Sequence, residues 1–169
     1  CREAEMAPLT EADLDTFLEG FDLDPGFAPF VERCRRHDLP LLIVSDGIDL
    51  YINRLLARYH LGDLPLITNR GYFDGSHIRI EFPHANRHCT RCGSCKGERI
   101  LEFRERAGLP TRIVFVGDGL SDICAADQAN ILFAKKDLER HCRMHNIPYI
   151  SYEDFFDVAR GMENLGCFI

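Results

Sequence analysis

Apolar residues along this chain switch between two periods, and the switches lay out its elements. Thr10 followed by Asp13 predicts a capped helix start, and Leu14, Phe17 and Leu18 carry a helical stripe behind it. Pro25 is expected as the first residue of a second helix. Phe27, Phe30, Val31 and Cys34 recur at i, i+3, i+4 and i+7, one apolar face, and His37-Asp38 ends it. Leu39 to Val44 is a mostly apolar run, broken by Pro40, which predicts a strand buried on both faces. Ser45-Asp46-Gly47 is expected to turn the chain out of that strand. Ile48, Tyr51, Ile52, Leu55, Leu56 and Tyr59 then return to helical spacing, with Gly62 as the stop.

The period changes to two where Ile78, Ile80 and Phe82 alternate with His77, Arg79 and Glu81 behind Asp74-Gly75, a hairpin signal. Pro83 to Cys95 reads as an irregular polar loop. Lys96 to Ala107 reads as a helix closed by Gly108 and Pro110. A strand over Ile113–Val116, a helix over Ser121–Gln128, a strand over Ile131–Ala134, a helix near Asp137–His145 and a short strand at Tyr149-Ile150 follow. Ser151, with Asp154 three residues on, is expected to cap a last helix. Buried strands alternating with amphipathic helices predict an α/β fold, a doubly wound (Rossmann-like), mainly parallel sheet. The predicted core strands number three or four, few for such a sheet. Residues 1–24 are read as the remnant of an N-terminal helical cap. Residues 25–169 are read as the core, with the hairpin and Cys-rich loop of 64–95 inserted.

Charge and composition narrow the classes. The net charge of −7 argues against a general nucleic-acid or anionic-membrane binder. No apolar stretch approaches the roughly 20 residues of a membrane span. No basic-then-apolar leader is visible, and five of the eight cysteines are scattered (Cys1, Cys34, Cys124, Cys142, Cys167). Reduced thiols in a cytoplasmic protein are therefore expected. The chain opens at Cys1 in what reads as mid-helix, so an N-terminally truncated fragment is expected.

The chemistry gathers at strand ends. Gly117-Asp118-Gly119-Leu120-Ser121-Asp122 follows a buried strand and leads into a helix. Two carboxylates four residues apart, at the carboxyl end of a strand, make a hard oxygen site suited to Mg²⁺. Asp118 is the expected ligand; Asp122 is a second ligand or holds the first in place. Ser45, with the backbone N–H groups of Asp46 and Gly47, is expected to hold a phosphate oxygen at a helix start. Lys96 opens another helix and adds a point positive charge.

This order of motifs resembles the haloacid dehalogenase superfamily, in its phosphoserine-phosphatase-like branch. Val44-Ser45-Asp46-Gly47-Ile48-Asp49, and Pro83-His84 leading to Cys92-Gly93-Ser94-Cys95-Lys96, are similar to the 2-hydroxy-3-keto-5-methylthiopentenyl-1-phosphate phosphatases. They also resemble the phosphocholine/phosphoethanolamine phosphatases. The resemblance implies an Mg²⁺-dependent phosphomonoesterase acting on a small phosphorylated metabolite through an aspartyl-phosphate. It implies phosphate binding by Ser45 and Lys96, and metal binding by Asp118 with Asp122 in support. The attacking aspartate of such enzymes lies in an Asp-x-Asp-x-Thr motif on the first strand. Asp13-Leu14-Asp15-Thr16 has nearly those letters on a helical stripe, and Asp22-Leu23-Asp24 precedes Pro25. Neither is expected to be the nucleophile, which is placed upstream of Cys1.

Cys89, Cys92 and Cys95, with His84 and His88 nearby, offer soft ligands within a dozen residues. Zn²⁺ takes four such ligands, although structural sites usually pair two knuckles distant in sequence. A reduced loop lining the pocket rim is the alternative. A non-catalytic zinc-binding or scaffold protein on a degenerate phosphatase fold is the rival function.

Overall fold

A computed structural model describes residues 9–84, 86–108 and 111–168. Cys1 to Pro8 and Pro110, on which two expectations rest, lie outside them. The order is α1 (Glu11–Leu18), α2 (Phe27–Arg36), β1 (Ile43–Ile48), α3 (Asp49–Arg58), β2 (Leu66–Asp74), β3 (His77–Glu81) and α4 (Lys96–Ala107). Then come β4 (Val114–Gly117), a 3₁₀ turn (Leu120–Asp122), α5 (Ile123–Ala126), β5 (Ile131–Ala134), α6 (Lys136–His145), β6 (Ile150–Ser151) and α7 (Phe155–Asn164).

Local chemistry accounts for most boundaries. The Thr10 hydroxyl accepts from Asp13 N, and Asp13 accepts from Thr10 N at 2.9 Å, closing a capping box on α1. α2 starts two residues beyond Pro25. The Asp24 carboxylate decides that start, accepting from Gly26 N at 2.9 Å and from Phe155 N at 3.1 Å, so one side chain ties the starts of α2 and α7. α3 ends at Arg58, and His60, in the left-handed conformation at φ 57°, turns the chain out before Gly62 is reached. α7 is capped by Asp154, which accepts from Phe156 N and Asp157 N. Ser151 belongs instead to β6, paired with Ala134.

The largest departure is at β1. It does not stop at Val44 but runs through Ser45, Asp46 and Gly47 to Ile48. Its ladder to β2 shifts register between Val44 and Ile48, a bulge that re-aims the strand end. Cross-strand side chains hold that irregular piece: Thr68 donates to Gly47 O at 2.7 Å, and Asn69 to Asp46 O at 2.8 Å. β2 serves two partners. Its first half runs parallel to β1, and Arg70–Asp74 pair antiparallel with β3 around Gly75. The hairpin is thus an outgrowth of a core strand.

Among the described residues the parallel sheet is divided in two, ordered β1-β2-β3 and β4-β5-β6. Helices cover both faces of β5, as a doubly wound sheet requires. Phe133 packs with Phe30, Tyr152 and Val158 on one face, and Leu132 with Ala126, Leu138 and Cys142 on the other. α2 bridges the two sheets: Phe30 and Cys34 face the β5 cluster, while Val31 joins Leu56 and Leu61 against Ile43.

Candidate functional site

The site is built where β4 ends and α4 begins. Asp122 is almost fully buried and both of its oxygens are engaged. One accepts from Asp118 N and Gly119 N, each at 2.9 Å, folding the loop back on itself. The other pairs with the Lys96 ammonium, which also donates to Ser121 Oγ at 3.0 Å. Of the two roles read for Asp122, this bonding matches the holding one. A buried carboxylate is tolerated when paired and fully hydrogen-bonded.

Asp118 is the open carboxylate of the loop. Its side chain is 46% exposed and one oxygen accepts from Lys136 Nζ at 2.9 Å. Lys136 holds a left-handed φ of 50°, uncommon for a lysine. Asp118 and Asp122 both act by charge on Tyr152. Burial first, and then those carboxylates, raise its hydroxyl well above the ordinary tyrosine range. A partly exposed carboxylate at a strand end fits Mg²⁺ as one ligand, and Asp118 is the residue that offers it.

On the other side, β1 is tied to the loop before α4. Asp46 Oδ1 accepts from Gly93 N at 2.7 Å and Ser94 N at 3.1 Å. Ser45 Oγ accepts from Gly47 N at 3.0 Å, so one of the two N–H groups read for a phosphate oxygen is turned to Ser45 here. The route from β1 to Asp118 is therefore Asp46, the 93–95 backbone, Lys96 and Asp122. Gly97 permits the close approach of α4 to the first turn of α5. A Cβ added there would lie 2.2 Å from Cys124 O.

The loop itself is pinned by Glu98, whose carboxylate accepts from Arg87 N, His88 N and Cys89 N at 2.5, 2.7 and 2.9 Å. Burial works to raise its pKa, but the three N–H donors prevail and hold it at about 2. Asn86 spans the same loop, donating to Cys92 O and accepting from Cys95 N. A cavity of about 490 Å³ opens here, lined by Asp46, Phe82, His84, Asn86, Arg91 and Cys92 among others. Cys89 receives the backbone N–H groups of Arg91 and Cys92, which lower its pKa to about 7. Burial raises Cys92 to about 12 and Cys95 to about 11.

The Asp-x-Asp look-alikes are engaged in other bonds. Asp13 serves the α1 cap, Asp22 accepts from Tyr59 Oη, and Asp24 caps α2. A family profile described as Putative Phosphatase matches residues 4–150. The chain belongs to this phosphatase family. It is 33% identical over 154 residues to a 2-hydroxy-3-keto-5-methylthiopentenyl-1-phosphate phosphatase of Brevibacillus brevis, covering 90% of this chain and 68% of that one. A Bacillus velezensis protein of the same name is 32% identical over 168 residues, 95% and 70% of the two chains. Among solved structures, a phosphoserine phosphatase in apo form superposes with a TM-score of 0.64 at 17% identity, over 88% of this chain and 72% of the other. A second, from T. onnurineus, gives 0.57 at 20% identity, over 89% and 66%. Those identities speak for the fold alone. The resemblance to the 2-hydroxy-3-keto-5-methylthiopentenyl-1-phosphate phosphatases is borne out, and the fold is one shared with phosphoserine phosphatases.

The sequence reading missed Cys124, Ser121, Lys136 and Glu98. Paired lysines after β5 were an available signal for Lys136. Cys124 had none, because its partners are some thirty residues away. Within the described residues, the three ligand atoms that lie within 4.8 Å of one another belong to Cys89, Cys95 and Cys124. Cys92, His84 and His88, named with Cys89 and Cys95 as possible zinc ligands, are not members of that trio.

Proposed function

We propose that the chain is the larger part of an Mg²⁺-dependent phosphomonoesterase for a small phosphorylated metabolite. The observation that carries this is the buried Lys96–Asp122 pair, fixed to the Asp118 loop at the carboxyl end of a parallel strand. Phosphoryl transfer needs positioning and charge neutralisation more than covalent ingenuity. In this reading the Lys96 ammonium and the Ser45 hydroxyl take phosphate oxygens, Asp122 keeps Lys96 aimed, and Asp118 holds the metal. Mg²⁺, when bound, neutralises phosphate charge.

By the family resemblance, an aspartate oxygen displaces the alcohol from phosphorus and a second aspartate protonates that alcohol. Water then cleaves the acyl phosphate to inorganic phosphate. Neither look-alike supplies the attacking group, since each is committed to helix entry or a tyrosine. We place the nucleophile outside the described residues; the relatives extend about a third beyond the match. The name of those relatives makes 2-hydroxy-3-keto-5-methylthiopentenyl-1-phosphate the first substrate to test. A cytoplasmic location and no nucleic-acid partner complete the proposal. In the described residues, no helix is long and apolar enough to cross a membrane.

The 169-residue chain is expected to bind inorganic phosphate with Mg²⁺ present and to leave p-nitrophenyl phosphate intact. Lys96→Ala is expected to weaken phosphate binding by about tenfold or more, as loss of a charge-assisted contact does. Calorimetric titration measures it, and unchanged affinity would overturn the site. Mg²⁺-dependent hydrolysis by this chain, abolished in Asp118→Asn, would overturn the placement of the nucleophile. The rival reading, a zinc-binding scaffold, draws on the sulfur cluster and requires that phosphate not bind at all.

A further inference from the structure

Three thiols from two distant segments converge beside the phosphate site, and nothing in the chemistry above uses them. Cys89 and Cys95 come from the loop before α4, and Cys124 from the first turn after the Asp118–Asp122 loop. Their sulfurs lie within 4.8 Å of one another, and all three are free thiols. A tetrahedral zinc with bonds of about 2.3 Å needs sulfurs about 3.8 Å apart, a separation that the 4.8 Å limit on these three includes.

We propose that Cys89, Cys95 and Cys124, closed by Cys92 as fourth ligand, form a structural zinc site that rivets the start of α4 to the loop after β4. Cys92 sits within hydrogen-bonding reach of Cys89. The loop is shaped for a ligand. The N–H groups of Arg91 and Cys92 turn toward Cys89 sulfur, Glu98 fixes the backbone at 87–89, and Asn86 fixes Cys95. Such outer partners orient metal ligands. The Arg91 guanidinium reaches Cys124 Sγ at 4.0 Å and offsets thiolate charge. Gly97 admits the approach, because any side chain there would meet Cys124 backbone. The second knuckle that a Cys-x-x-Cys-x-x-Cys run lacks is thus supplied by Cys124.

Titration of the reduced chain with Co²⁺ tests this. One ion per chain is expected, with thiolate-to-cobalt charge transfer and tetrahedral d–d absorption, displaced by Zn²⁺. Cys124→Ser and Cys95→Ser are expected to lose the spectrum, Cys92→Ser to weaken it, and Cys167→Ser to keep it. X-ray absorption on the zinc-loaded wild-type chain counts sulfur neighbours directly, so the result holds if a variant unfolds; three or four at about 2.3 Å are expected. No stoichiometric metal, an unchanged Cys124→Ser spectrum, or a Cys95–Cys124 disulfide in the chain purified under reducing conditions would overturn the assignment. No readout involves phosphate, so its failure leaves the phosphatase reading standing.

Discussion

Lys96 and Asp122 depend on each other for charge balance. Asp122 is buried and Lys96 largely so, and removing either leaves the other's charge uncompensated in a poor solvent for it. Lys96→Ala is expected to cost about 3 kcal/mol of folding stability by urea denaturation, besides its effect on phosphate. A Lys96→Ala/Asp122→Asn double variant that regains part of this would identify the stranded carboxylate as the cause. Glu98 gives a separate signal in pH. Its folded pKa of about 2 lies below its ordinary 4.5. The stabilisation is therefore complete above pH 4.5 and lost as pH falls from 4.5 toward 2. Glu98→Gln is expected to lower stability at neutral pH by about 2–3 kcal/mol and to flatten the urea midpoint against pH over that window. An unchanged profile would mean that the three N–H bonds to Glu98 contribute nothing.

Glycines separate packing from propensity at the scale of an element. Alanine favours a helix interior over glycine by about 1 kcal/mol. At Gly97 the added Cβ would lie 2.2 Å from a backbone oxygen, which cannot swing aside. Overpacking of that kind costs about 1–3 kcal/mol. Gly97→Ala is expected to destabilise, and to weaken metal binding as Cys95 is pried from Cys124. Gly62 has open space around it. Gly62→Ala is expected to be neutral or to stabilise by up to about 1 kcal/mol through the unfolded chain. Thermal melts of the two variants should move in opposite senses. Element boundaries read well where one residue caps its own helix, as with Thr10 and Asp13. They failed at β1, because the bonds that extend it come from Thr68, Asn69 and Gly93, at least twenty residues away.

Across the whole molecule, two three-stranded sheets are held together by helices. Phe133 is fully buried between α2 and α7, and its ring fits against Gly161, where a Cβ would lie 2.5 Å from it. Phe133→Ala is expected to cost about 3–5 kcal/mol, a large share of the roughly 5–15 kcal/mol of a typical domain. Loss of the cooperative unfolding transition would follow, with both halves affected because α2 packs on each. A transition in which the β1–β2–β3 half stays folded would contradict that bridging role.

Much of this was legible in the letters. Hydrophobic period set the identity of nearly every helix and strand, since burying an apolar face requires that spacing whatever the partner. The Gly-Asp-Gly-Leu-Ser-Asp run and Lys96 marked the site for a similar reason, because turn chemistry and charge are carried locally. Pairing across space was not legible. That Asp122 serves Lys96, that Asp46 anchors the 93–94 backbone, and that Cys124 completes the sulfur group depend on where helices settle on a folded sheet. No stretch of a dozen residues contains both members of those pairs, so only the packed chain could bring them together.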